Sequence, residues 1–163
     1  MELGWQVVFT GIGATALMDA AMLARRRLLG MPLPDYGLVG RWIAHMPRGR
    51  LVHERMASVA AVTGERAIGW AAHYAIGIGF AALLYAVAGG DWFRAPTMGI
   101  ALAVGLCTVA APFLVMQPAM GAGFAASRAP RPNAARLQSF FTHAIFGLGL
   151  YAAGLLSTFF PAP

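Results

Sequence analysis

Two histidines in this chain stand in matching frames of neighbours. Arg66-x-x-Gly69-Trp70-x-x-His73-x-x-x-Gly77-x-Gly79 returns as Arg136-x-x-Ser139-Phe140-x-x-His143-x-x-x-Gly147-x-Gly149, at a constant offset of 70 residues. Met18-Asp19-Ala20-Ala21-Met22 and Met116-Gln117-Pro118-Ala119-Met120 form a second echo ahead of each copy. These residue types have definite chemistry. Imidazoles ligate metals and haem and carry protons, a carboxylate supplies counter-charge, and paired guanidinium groups suit carboxylate or phosphate. The candidate ligand-binding residues are Asp19, His73, Gln117, His143, Arg66 and Arg136. The metal candidates are His73 and His143, which would hold a transition metal or, as an axial pair, haem b. Gly77 and Gly147 would clear room for a flat ring, although glycine at this spacing more often serves close helix packing.

Each histidine lies seven residues after its arginine, a rise of about 10 Å along a helix. Asp19 lies six residues before Arg25, about 9 Å along the helix, and Gln117 holds the equivalent place. The four groups therefore fall in one layer, provided that each stands on its own membrane-spanning helix. Ionisable groups inside spans are costly and mark function by default. The plainer use of such a layer is a hydrogen-bonded clasp between helices.

The composition supplies those helices. The chain is 59% apolar and 11% charged, with a mean hydropathy of +0.65. A soluble domain carries about a quarter charged residues. A span needs about 20 apolar residues, and stretches 3–24, 67–88, 96–117 and 140–160 qualify. The first follows an acidic residue, Glu2, and contains Asp19, so it reads as a retained span rather than a signal peptide. The expected fold is an all-α integral membrane protein of four transmembrane helices, a single membrane domain over 1–163 built as a parallel 2+2 repeat. Repeat one is 3–88 with linker 25–66, and repeat two is 96–160 with linker 118–139. All twelve basic residues are arginine, for a net charge of +6. Eleven of them lie in or at the ends of the two linkers, and Arg94 alone lies in the loop between spans two and three. That bias puts both linkers in the cytoplasm and both termini outside, in an inner membrane. It explains the basic balance better than nucleic acid does. The lone Cys107 excludes a disulfide within one chain.

In the first linker, Asp35 offers an N-cap. Val39, Trp42, Ile43 and Met46 follow at i, i+3, i+4, i+7 and predict an amphipathic helix, with Arg41 and His45 on its polar side. A second short helix is expected over 50–63, with Arg50–Glu54 as an i, i+4 pair. Pro112 should kink span three, and Pro118 should end it. Met18, Met22, Met116 and Met120 read as apolar lining before they read as Cu(I) ligands.

On Met18-Asp19, Gly40-Arg41-Trp42, Gly69-Trp70-x-x-His73-Tyr74, Met116-Gln117-Pro118 and His143-x-x-x-Gly147, the chain resembles bacterial inner-membrane proteins grouped only as a four-span domain of unknown function. The resemblance implies a four-helix membrane protein and brings no activity. The readings that follow are a binding or transport protein for a small anionic or metal ligand at the polar layer, a bis-histidine haem b redox protein, an enzyme acting on a lipid or quinone with Asp19 and a histidine as acid and base, and a structural subunit. Membrane lipids are the expected partners, and a homo-oligomer is compatible with this pattern.

Overall fold

A computed structural model describes residues 2–160. It is 76% helical, and the described residues contain no strand. The helices are α1 (Glu2–Leu29), α2 (Tyr36–His45), α3 (Glu65–Ala88), α4 (Asp91–Arg94), α5 (Met98–Cys107), α6 (Gln117–Ala119) and α7 (Pro132–Ser157). Leu3–Leu29, Glu65–Ala88, Met98–Ala119 and Pro132–Ser157 are each long and apolar enough to cross a membrane. The expected spans reappear with longer ends on the side of the two linkers. α1 runs on through Arg25–Arg27, and α7 begins at Pro132, whose fixed φ suits a first helical position. Ile12, Leu17, Ile76, Leu83, Ile100 and Leu148 are exposed, an apolar surface that suits lipid rather than water.

The chain divides into two compact units. The first comprises Met1–Leu33, Tyr74–Thr108 and Phe141–Pro163. Its core joins Ala14, Met18, Leu84, Phe93, Val104 and Leu150. Lipid tails are as apolar as these side chains, so dense van der Waals contact holds such helices together, and small residues make it dense. A Cβ on Gly11 would strike Ile78 Cα, and one on Gly105 would strike Gly147 Cα. A Cβ on Gly149 would come within 2.9 Å of Ala14 Cα. α1 therefore packs on α3 and α7, and α5 on α7, nearly backbone to backbone. The loop between spans two and three is itself a helical turn. Its Trp92 and Phe93 are 4% and 0% exposed, and the Trp92 ring fills the space beside Gly154.

The second unit comprises Pro34–His73 and Val109–Phe140. The Asp35 side chain accepts from Gly37 N at 2.9 Å and caps α2, as expected. α2 lies against the first turns of α3, because a Cβ on Gly40 would overlap Glu65 O and one on Gly69 would overlap Tyr36 O. Arg41 forks onto Glu65, Nε to Oε2 and Nη2 to Oε1 at 2.8 Å each, and donates to Val59 O at 2.7 Å. Its hydrogen bond to Glu65 raises the Arg41 pKa further. The helix expected over 50–63 does not form. Only a 3-10 turn, Met56–Ser58, appears there, and the Arg50–Glu54 pair is not made. The reason is competition for donors: His53 N bonds Ala119 O at 2.8 Å and Met56 N bonds Met120 O at 3.1 Å. The second linker thus takes the N–H groups that a helix would use.

Span three loses its regular α-helix ahead of Pro112: α5 stops at Cys107, and a π-helical turn over Pro112–Met116, closed by Gln117 N to Pro112 O, follows. Helix continues past Pro118 to Ala119. A loop follows in which Gly121, Gly123, Ala125 and Ala126 all take positive φ, of 92°, 73°, 45° and 57°. Two alanines in this region are strained, at about 1–2 kcal/mol each.

Candidate functional site

In the first unit, the Tyr74 hydroxyl donates to Asp19 Oδ2 at 3.2 Å. His143 Nδ1 lies 2.8 Å from Thr108 Oγ1, which lies 2.6 Å from Gly105 O. The hydroxyl has a single proton and gives it to the carbonyl, so Nδ1–H donates to the hydroxyl and Nε2 carries the lone pair. Thr142 Oγ1 lies 3.7 Å from Met22 Sδ, and Met18 and Met22 are 8% and 5% exposed, which is the packing use expected of them. The Arg25 guanidinium sits 4.6 Å from the Phe141 ring centre.

Gly77 and Gly147, the glycines expected to clear room for a ring, are not open. A Cβ on Gly77 would overlap Thr15 Oγ1, and one on Gly147 would lie 2.9 Å from Leu102 Cα and 3.0 Å from Ala101 O. Neighbouring helices fill the space that a flat ring would need, so these positions do not fit haem. Among the described residues, no group of three or more His, Cys, Asp and Glu side chains is placed to hold a metal ion.

In the second unit, His73 stacks on Tyr36 with ring centres 4.1 Å apart at 26°, and Trp70 stands edge-on to both rings. Gln117 Nε2 donates to Ser139 Oγ at 3.4 Å, while Gln117 Oε1 is buried without a partner. Arg136 Nε donates to Ala125 O at 2.8 Å and Nη1 to Asn133 Oδ1 at 3.1 Å, so Arg136 braces the strained loop. Arg66 is exposed, with its stem against Gly37. His45 has both ring nitrogens buried and unpartnered, with its ring edge-on to that of His53 at 5.5 Å. The six candidates therefore fall as Asp19 and His143 in the first unit, and His73, Gln117, Arg66 and Arg136 in the second.

The second unit also holds an open cavity of about 740 Å³. Trp42 and Met46 from the end of α2, Leu51 and Val52 from the first linker, and Leu114 and Val115 from the π turn line it, followed by Pro118 and Ala119. Gly123, Phe124, Ser127 and Arg128 complete the lining. The Trp42 indole donates to Leu51 O at 2.8 Å and fixes one wall. Gly123 lies beneath the Ser127 hydroxyl and the Arg128 stem, where a Cβ would sit 3.0 Å from Arg128 Cγ.

The family described as "Protein of unknown function (DUF2938)" matches residues 8–157. The chain belongs to this family. Among curated proteins and among solved structures, nothing matches the chain. The DUF2938 match runs through every candidate residue and through the cavity lining, and its description names no activity.

Sequence reasoning passed over the cavity. Its lining comes from 42–52 and 114–128, two segments that periodicity treats separately. The signals present were Gly121-x-Gly123 just after Pro118, and the unanswered Arg128 beyond them.

Proposed function

We propose that this member of DUF2938 is a multi-pass membrane protein that binds a small membrane-borne ligand in the cavity of its second unit, as a binding or transport protein. The observation that carries this reading is the convergence of three irregular features on one apolar space. The π turn at Pro112–Met116 contributes Leu114 and Val115, the positive-φ loop contributes Gly123 and Phe124, and the unwound first linker contributes Leu51 and Val52. π turns and strained backbone concentrate at functional sites. About 740 Å³ lies within the roughly 300–1,000 Å³ of small-molecule sites. Arginine counts support cytoplasmic linkers, outward termini and a cytoplasmic (inner) membrane location.

The test is filling the cavity. Leu114 and Val115 are 60% and 58% exposed, so Leu114→Trp and Val115→Trp should fold. Each should strip small molecules that co-purify with the wild-type protein. Identical small-molecule content in wild type and both variants would refute the reading.

A second reading keeps a small anionic or metal ligand on the polar candidates of the second unit, His73 and Gln117. The orphaned Gln117 Oε1 favours it. Gln117→Leu should then abolish binding of phosphate or Zn²⁺ to the purified protein. Unchanged binding, or none in the wild type, would remove this alternative.

A further inference from the structure

Given that the cavity is a ligand site, the next question is which chemistry it selects. We infer that its occupant is an anionic single-chain amphiphile, with its alkyl chain along Trp42, Leu51, Leu114, Val115 and Phe124 and its carboxylate or phosphate on Arg128. Of the twelve lining residues, Arg128 is the only one that carries a charge, and no acidic side chain faces it across the cavity. The other arginines bonded in this unit are already spent: Arg41 on Glu65 and Val59 O, Arg48 on Ala44 O, and Arg136 on Ala125 O and Asn133. Among the described residues Arg128 forms no ion pair.

The backbone holds it ready. Arg128 N donates to Ala122 O at 2.8 Å, and the missing Cβ of Gly123 lets the Arg128 stem lie close over the loop. The free guanidinium presents a planar fork of donors that matches either oxyanion. Ser127 beside it offers a hydroxyl. One polar end and one apolar trough describe one head and one chain. The volume suits a single drug-sized molecule.

The full-length protein in a neutral detergent should be equilibrated with palmitate, with lysophosphatidate and with hexadecanol, and the bound probe read by native mass spectrometry. Wild type should retain palmitate or lysophosphatidate about tenfold better than hexadecanol, the scale of one charge-assisted contact. The better retained of the two distinguishes a carboxylate from a phosphate head. Arg128→Gln should bring the anionic probes down to the level of hexadecanol and leave hexadecanol unchanged, and Arg128→Lys should recover part of the difference. Equal retention of all three probes by wild type and Arg128→Gln overturns the anionic assignment. In that case loss of all probes in Val115→Trp leaves the cavity itself standing, whereas no effect of Val115→Trp removes the cavity reading too. A two-chain phospholipid at the site, or a dimer excluding every probe, also overturns the inference.

Discussion

The orphaned ring of His45 shows what one residue can cost. A neutral imidazole always carries one N–H, and here both nitrogens are shut away without a partner. Such a group loses its water without recovering a bond, at about 1–3 kcal/mol. His45→Phe keeps a ring beside His53 and should raise stability by about 1 kcal/mol, read as a higher melting temperature in detergent. A lower one would mean that a water or ion holds the imidazole. The sequence marks His45 only as a polar-face residue, because hydrogen-bond satisfaction depends on what packs over a side chain. The duplicated frame drew attention to His73 and His143, yet their partners differ, an aromatic ring from Tyr36 and a hydroxyl from Thr108. Tyr36 and Thr108 lie outside the matched motif, which is why spacing alone does not reveal these two contacts.

Among the elements, α2 depends on two glycines. Gly69→Ala would drive a methyl group into Tyr36 O, and backbone cannot swing aside as a side chain does. A loss of about 1–3 kcal/mol or more is expected, and thermal unfolding of the variant would show it; an unchanged midpoint would mean that α2 and α3 can separate at little cost. The loop after α6 predicts the opposite sign. Strain of about 1–2 kcal/mol at Ala125 exceeds the roughly 0.5–1 kcal/mol that glycine forfeits in chain entropy. Ala125→Gly should therefore hold or raise the melting temperature, and a clear drop would contradict the left-handed conformation there. The sequence was readable where a local cause sets the element. Asp35 capping α2, the four apolar stretches and the break ahead of Pro112 are all of that kind. It misled over 50–63, where the decisive hydrogen bonds run to Ala119 and Met120, far along the chain.

For the whole molecule, the distribution of arginine predicts orientation. In a Cys107→Ser background, Asp91→Cys should react with a membrane-impermeant maleimide added to intact cells, and Ser58→Cys should react only after lysis. The reverse pattern would invert the topology. The strap between the linkers bears on the order of synthesis. The ribosome completes His53 and Met56 well before it reaches the carbonyls of Ala119 and Met120 that receive them. Until the third span is inserted, the first linker has nothing to close on and pays loop entropy without return. A chain stopped after Arg94 should thus be cut by trypsin at Arg50 and Arg55 far faster than the full chain, and equal rates would mean that the linker folds alone. The nascent protein passes through a stage with two spans in place and the cavity lined by 42–52 and 114–128 unbuilt, so closing that cavity becomes a checkpoint that only the second half of translation can release.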